Sequence, residues 1–316
     1  LNGGDGNDHI NLSAKGTIHA VSGGKGDDTL TGYGTLANRL SGGGGNDLIM
    51  FVGWPMRLYP VTYVASGGDG NDTIDGGSIP LVNGPCPITV TLNGDAGDDL
   101  IIGSRYAATI NGGLGIDTIY GGAGNDVITD EGNSGEIYGG GGNDRITSTL
   151  LSGTIAGEDG NDVINIKTPT MNLVRTYITV NDGPGNDIVN LDPFVDAVKI
   201  KGAPGADRYN LAADHTNFDV YFEYTQWTQS SGANVDVISN FSLANEIDLT
   251  HLVHSPIANL HWANNTQGAG NVMLQVNNVT HTGDLYVNAG PGYGIMQIHF
   301  VDIADNGLNR GSIVLG

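Results

Sequence analysis

The sequence predicts an all-β fold: a parallel β-solenoid of 18-residue coils, followed by a β-rich C-terminal unit that caps it. A motif of the form Gly-Gly-x-Gly-(Asn/Asp)-Asp-x-aliphatic recurs eleven times, and aliphatic residues recur at nine-residue intervals. Both patterns stop after Leu211, and segments typical of strands follow at residues 235–238, 272–276 and 295–300. We therefore predict a repeat domain over residues 1–211 and a C-terminal β-rich domain over residues 212–316.

The aliphatic period defines the coil. Neither a helix, with a period of about 3.6, nor a simple strand, with a period of about 2, produces a nine-residue repeat. A half-coil of one short strand and one turn does, and stacking such units makes the core. The predicted core stack is Leu92, Ile101, Ile110, Ile119, Ile128, Ile137, Ile146, Ile155 and Ile164.

The motif spacings predict where the turns lie. The motifs start at residues 3, 23, 42, 67, 94, 112, 121, 139, 157, 182 and 202. Counting in half-coils places starts 94 and 112 on one edge and the other nine on the opposite edge. Motifs on adjacent levels then form eight pairs: 3–23, 23–42, 42–67, 94–112, 121–139, 139–157, 157–182 and 182–202. Two coils, from Ile49 to Ile74 and from Ile164 to Val189, are predicted to be long, with 25 residues each.

The composition of the chain argues against several classes of function. The chain has 52 glycines and a net charge of −22, so its surface would repel nucleic acid. No apolar run approaches the length of a transmembrane segment. The single cysteine, Cys86, excludes an intramolecular disulfide, and between two prolines it is expected to be a buried small residue rather than a nucleophile.

The motif chemistry points to calcium. Glycine permits the tight turns that aim carbonyl oxygens at one point, and aspartate adds a hard anionic oxygen on a short stem. Zinc would require His or Cys, which the turns lack. Stacked carboxylates repel without a counter-ion, so folding is predicted to depend on Ca²⁺.

The predicted calcium ligands occupy four motif positions. The first position supplies Gly3, Gly23, Gly42, Gly67, Gly94, Gly112, Gly121, Gly139, Gly157, Asp182 and Gly202. The fourth supplies Gly6, Gly26, Gly45, Gly70, Gly97, Gly115, Gly124, Gly142, Gly160, Gly185 and Gly205. The sixth supplies Asp8, Asp28, Asp47, Asp72, Asp99, Asp117, Asp126, Asp144, Asp162, Asp187 and Asp207. The third adds Asp5, Asp69 and Asp159.

From Gly3 to about Leu211 the chain resembles the RTX (repeats-in-toxin) parallel β-roll. The resemblance implies calcium bound between successive turns by the aspartate side chain and by backbone oxygens, and a secreted bacterial protein. The segments Asp236–Phe241 and Glu246–Thr250 resemble the region after the repeats in type I secreted RTX proteins such as the serralysins. That resemblance implies a C-terminal signal read by the type I secretion machinery.

No catalytic motif is found. The chain has no His-Glu pair and no Gly-x-Ser-x-Gly elbow, so we expect no enzyme activity. His251, His254 and His261 lie close in sequence, but packing or surface roles are expected for them. The aromatic insert over residues 51–63 is interpreted as a flap over a coil edge, with a sugar- or partner-binding loop as the alternative.

The first hypothesis is a calcium-stiffened, non-enzymatic module of a secreted or cell-surface bacterial protein. It would be an adhesin or surface-layer type with a cell-surface or matrix polysaccharide as a possible partner. The alternative is the non-catalytic tail of a secreted protease, lipase or alginate epimerase. A weaker third hypothesis is a lattice-forming surface protein. Because Leu1 begins within a repeat, we expect the chain to be part of a longer protein.

Overall fold

The computed structural model describes residues 1–12, 20–33, 38–52, 61–79, 87–167, 176–195, 197–212, 219–224, 235–239, 246–248, 261–262, 271–277, 282–288, 295–301 and 313–314. Within these residues the regular structure is entirely strand, as predicted. The described residues include no helix with the length and apolar character for crossing a membrane. The chain forms two compact units, Leu1–Leu150 and Leu151–Gly316.

Unit 1 is a stack of coils with two parallel sheets. Its strands are β1 (Asn2–Asp5), β2 (His9–Leu12), β3 (Val21–Lys25), β4 (Thr29–Tyr33), β5 (Asn38–Gly44), β6 (Leu48–Val52), β7 (Val61–Asp69), β8 (Thr73–Asp75), β9 (Ile88–Ala96), β10 (Leu100–Ser104), β11 (Ala108–Leu114), β12 (Ile116–Gly122), β13 (Val127–Asp130), β14 (Ser134–Gly141) and β15 (Arg145–Ser148). Odd-numbered strands form the first sheet and even-numbered strands the second, each strand pairing with the strand two further along the chain. Unit 1 therefore has the predicted solenoid architecture.

Unit 2 also begins as a parallel stack. Its strands are β16 (Ser152–Asp159), β17 (Val163–Ile166), β18 (Tyr177–Asn181), β19 (Ile188–Leu191), β20 (Ala197–Lys201), β21 (Arg208–Asn210), β22 (Asp219–Glu223), β23 (Asp236–Ser239), β24 (Glu246–Asp248), β25 (His261–Trp262), β26 (Asn271–Asn277), β27 (Thr282–Asn288), β28 (Ile295–Val301) and β29 (Ile313–Val314). Strands β17, β19, β21, β23 and β28 pair in parallel, and so do β16, β18, β20, β22, β24 and β29.

Parallel pairing in unit 2 continues past Leu211, where the motif ends. Strand β22 pairs with β20, and β23 pairs with β21, in the same register as the preceding coils. Strands β28, β27 and β26 then extend the sheet as an antiparallel meander. The strands predicted near residues 235–238, 272–276 and 295–300 are confirmed as β23, β26 and β28. The domain boundary after Leu211 stays a prediction.

The aliphatic stack forms the core. All nine residues predicted for it are fully buried. Within unit 1, Ile119 lies in register between Ile101 and Ile137 of the second sheet. Burying one such side chain contributes about 1.5–3 kcal/mol, so the stack is the main apolar contribution that holds coil upon coil.

Insertions lengthen some coils, but the strands on either side of them still pair in register. The two predicted 25-residue coils are confirmed, because Ile49 pairs with Ile74 and Ile164 pairs with Val189. A third long coil was not predicted: Ile74 pairs with Ile101, 27 residues later.

The described ends of the aromatic insert belong to the core. Phe51 and Tyr63 are buried and pack edge-to-face with ring centroids 5.1 Å apart. Residues 53–60, between them, lie outside the described part of the chain, as does Cys86.

Candidate metal centre

The motif turns stack along the edges of the two units. In unit 1 the motifs that start at 3, 23, 42, 67, 94 and 112 follow first-sheet strands, and we call this side the first edge. The motifs that start at 121 and 139 follow second-sheet strands, and lie on the second edge. In unit 2 the motifs that start at 157, 182 and 202 all follow strands of one sheet, β16, β18 and β20.

The predicted edge assignment was wrong in unit 1. Starts 94 and 112 lie on the same edge as 3 to 67, and starts 121 and 139 lie opposite them. The cause is the 27-residue coil, whose nine additional residues equal one half-coil and shift the count by half a turn. The structure consequently adds the pair 67–94, in which Gly68 faces Asp95, to the predicted inter-coil pairs.

The sixth-position aspartates form a ladder between coils. The backbone N–H of Asp28 donates to Oδ1 of Asp47 at 2.8 Å, and the N–H of Asp47 donates to Oδ1 of Asp72 at 2.7 Å. The same bond recurs on the second edge and in unit 2, where the N–H of Asp162 donates to Asp187 at 2.7 Å. One carboxylate oxygen of each rung is therefore used to join the coils.

The other carboxylate oxygen of the ladder is buried without a hydrogen bond. Among the described residues, Oδ2 is buried and has no hydrogen-bond partner in Asp8, Asp28, Asp47, Asp72, Asp99, Asp117, Asp126, Asp187 and Asp207. A buried carboxylate oxygen without a partner is costly, so a repeated series of them requires a ligand that binds oxygen.

The first-position glycines leave room beside this oxygen. A Cβ on Gly94 would lie 2.3 Å from Oδ2 of Asp99 and 2.3 Å from the carbonyl oxygen of Gly112 in the next coil. At Gly3 the corresponding distances are 2.2 Å to Asp8 and 2.5 Å to Gly23. This type of first-position glycine thus opens a cradle between a carboxylate of its own coil and a carbonyl of the next coil, as at Gly3, Gly67, Gly94, Gly121 and Gly157.

The fourth-position glycines let the turns approach one another. Gly70 has a φ of 127°, and a Cβ there would lie 2.1 Å from the carbonyl oxygen of Gly45. Two second-position residues, Asp95 and Glu158, have positive φ angles of 78° and 67° although they carry side chains. A positive φ at a residue with a side chain costs on the order of 1–3 kcal/mol, so it persists only where the surrounding structure enforces it.

A second ladder, which the sequence did not reveal, runs through the fifth position. Asn46 donates its N–H to Oδ1 of Asp27, and Asn71 donates its N–H to Oδ1 of Asn46, both at 2.8 Å. In this ladder the later coil donates, whereas in the sixth-position ladder the earlier coil donates. The sequence signal for this ladder was the preference for Asn or Asp at the fifth position. That preference is also expected of any tight turn, so it does not indicate a ladder.

The fifth-position ladder explains the two exceptions in the motif. Ile116 and Ala206 replace Asn or Asp in the motifs that start at 112 and 202. Each still donates its N–H to the preceding coil, to Asp98 and Asn186 respectively. Each belongs to the last motif on its edge in its unit, so no later motif needs its side chain as an acceptor.

Unit 2 contains an aspartate cluster. Oxygen atoms of Asp182, Asp187 and Asp207 lie within 4.8 Å of one another, and all three residues are buried. Asp182 stands where other motifs have glycine, and its Oδ2 accepts the hydroxyl of Tyr209 at 2.5 Å. This cluster offers more carboxylate oxygen than any regular cradle of the described residues.

The ladder in unit 2 ends on a hydrogen bond. Asp236, outside the motifs, accepts the N–H of Asp207 at 3.0 Å and so forms an additional rung. Its Oδ2 accepts the hydroxyl of Tyr224 at 3.0 Å. At this level the Tyr224 hydroxyl bonds the Oδ2 atom that has no hydrogen bond in rungs such as Asp72 and Asp126. An atom of the Tyr224 ring lies 3.0 Å from the position that a Cβ on Gly202 would take.

Burial raises the pKa of several ladder carboxylates. Desolvation is the largest cause, and repulsion from neighbouring aspartates adds to it. The pKa rises to about 7 for Asp72, about 8 for Asp126 and about 9 for Asp187. At neutral pH these sites accordingly favour a positive partner, either a proton or a cation.

The donor set fits calcium. It consists only of carboxylate and carbonyl oxygens from two coils, and Ca²⁺ takes about six to eight oxygen ligands in flexible geometry. Sixth-position aspartates with first-position glycine carbonyls would hold the ion, which neutralises the carboxylates and links adjacent coils.

The remaining residues considered as metal ligands are not part of the two ladders. The side chains of Asp5, Asp69 and Asp159 are exposed, and their role as ligands stays a prediction. His251 and His254 lie outside the described residues, and for His261 only the strand is described.

Acidification should stabilise the metal-free protein. The folded-state pKa values of Asp72, Asp126 and Asp187 lie above the ordinary value of 3.8, so the folded state binds protons more tightly than the unfolded state. This contribution is complete below about pH 4 and is lost as pH rises through about 7 to 9. Far-UV circular dichroism in excess chelator should therefore show a smaller folded fraction at pH 9 than at pH 5. An increase over that range would contradict the burial of these carboxylates.

Two glycines of one motif give a matched test of the cradle. Gly42→Ala places a Cβ 2.0 Å from Oδ2 of Asp47, whereas a Cβ on Gly44 meets no atom within 4 Å. We expect Gly42→Ala to weaken at least one calcium site by roughly tenfold or more, equivalent to a loss of about 1.4 kcal/mol. Gly44→Ala should leave calcium titration by calorimetry unchanged. Equal titrations for both variants would refute the cradle.

A family model for the RTX calcium-binding nonapeptide repeat, in four copies, matches residues 1–14, 21–49, 64–78, 91–105, 102–129 and 136–149. No curated protein matches the chain. The matched segments contain all eight motifs of unit 1, whose turns carry the ladders and cradles. Residues 1–149 thus form an array of RTX calcium-binding nonapeptide repeats.

Proposed function

We propose that this chain is a non-enzymatic, calcium-dependent folding module of a secreted bacterial protein with a structural or adhesive role. The observation that carries the proposal is the series of buried Oδ2 atoms without hydrogen bonds. Because the unfolded chain has no preformed site, the free energy of calcium binding contributes directly to folding.

This coupling suits a protein that folds after export. Extracellular calcium modules bind with dissociation constants of about 10⁻⁴–10⁻³ M, far above cytosolic calcium levels. The chain would stay unfolded in the cell, pass through the type I secretion machinery, and fold outside. The pattern after the repeats, at Asp236–Phe241 and Glu246–Thr250, supports this route.

An aromatic pair supports a polysaccharide partner. Tyr120 and Tyr138 pair in register on neighbouring strands and stack with ring centroids 5.0 Å apart and an interplanar angle of 8°. Tyr120 is 43% exposed. Flat aromatic surfaces of this kind are common where proteins bind ligands with apolar faces, such as sugar rings.

Secretion assays test the proposal. The full chain should reach the growth medium of cells that carry a type I exporter, and should be absent from the medium of matched cells without it. The secreted chain should resist protease in millimolar calcium and become sensitive after chelation. Folded, protease-resistant chain in chelator-treated cytosolic extracts would contradict the proposal, as would export that does not depend on the exporter.

A further inference from the structure

The first-edge ladder ends at an aspartate that belongs to no motif. Asp130 is the last residue of β13. The pairing of β13 with β11 places Asp130 next to Gly112, one coil further along the chain. At this level the residue opposite Asp117 is Gly135, so the sixth-position ladder has no further rung. Asp130 is therefore a carboxylate placed where the motif would have its first glycine.

The Asp130 carboxylate replaces a carbonyl of the regular cradle. At Gly94 the point where a Cβ would lie is flanked by Oδ2 of Asp99 and by the carbonyl oxygen of Gly112, both at 2.3 Å. At Gly112 the same point is flanked by Oδ2 of Asp117 at 2.7 Å and by Oδ1 of Asp130 at 2.6 Å. The cradle is preserved, but its second oxygen is now a carboxylate.

Both carboxylates are buried and incompletely bonded. Asp117 and Asp130 have no exposed surface, and Oδ2 of each has no hydrogen-bond partner. Their Oδ1 atoms accept single N–H bonds, from Asp99 at 2.9 Å and from Gly132 at 3.2 Å. Within the described part of the chain, no ion pair neutralises either carboxylate.

Among the described residues, the causes that shift the pKa of Asp130 include other carboxylates and no positively charged group. The carbonyl oxygen of Gly115 and Oδ1 of Asp130 both lie near the point of a Gly132 Cβ, at 2.4 and 3.4 Å. Desolvation, and then repulsion from Asp117, raises the pKa of Asp130 to about 7. Two buried carboxylates this close are stable only with a shared proton or a bound cation between them.

We propose that Asp117 and Asp130 hold one further calcium ion at the end of the first-edge ladder, in a site that the repeat motif does not encode. The ion bonds oxygens that the last rung would otherwise leave unbonded. The inference uses the geometry of unit 1 and does not depend on secretion, adhesion or the absence of enzyme activity.

Counting bound ions tests the site. Native mass spectrometry of the full calcium-loaded chain should give one ion fewer for Asp130→Asn than for the unmodified chain. Asp75→Asn is the matched control, because Asp75 begins the same Asp-x-Gly turn and accepts the N–H of Gly77 at 2.7 Å, yet it is only half-buried and outside the ladder. Its ion count should be unchanged.

An unchanged count for Asp130→Asn would overturn the proposal and indicate a proton shared by the two carboxyls. Circular dichroism in saturating calcium checks that the variant folds. If it does not, Asp130→Ala, which removes the carboxylate without supplying the glycine of a regular motif, should show the same loss of one ion. Crystals of the unmodified chain grown with terbium decide independently: anomalous density between Asp117 and Asp130 supports the site, and its absence overturns it.

Discussion

A buried carboxylate oxygen that the protein leaves without a hydrogen bond, repeated from coil to coil, is the constraint on which the rest of the structure depends. The isoleucine stack fixes the coils one above another, so the turns that carry these oxygens also stack. Like charges buried at that spacing destabilise the fold unless a cation lies among them. The apolar core therefore stabilises the stack of coils, whereas the acidic edges destabilise it unless calcium neutralises the carboxylates.

The motif separates structural tasks by position. The fifth and sixth residues join coils through two hydrogen-bond ladders of opposite direction, while the first glycine keeps space beside the sixth-position carboxylate. The ends of the ladders differ from their interiors. Ile116 and Ala206 lack the fifth-position acceptor, and Tyr224 donates its hydroxyl to Oδ2 of Asp236, the atom that has no hydrogen bond in rungs such as Asp72 and Asp126. At the fifth position, departures from the motif thus coincide with the ends of ladders.

The sequence was sufficient to predict the period, the core stack and the stacking turns, because each recurs at fixed spacing. It was insufficient for the edges in unit 1, because a nine-residue insertion in the coil from Ile74 to Ile101 looks the same as half a coil. It also could not identify Asp130 or Asp236, since neither belongs to a motif and only strand pairing brings them to the ladder. A repeat can be recognised in the sequence, whereas the register of strand pairing across an insertion is known only from the folded chain.

The most direct measurement is far-UV circular dichroism of the full chain at neutral pH, in excess chelator and then in millimolar calcium. We expect most of the β-signal to be absent in chelator and to develop cooperatively as calcium is added. Full β-structure in excess chelator at neutral pH would show that the stacked carboxylates are tolerated without a cation, and would contradict the account.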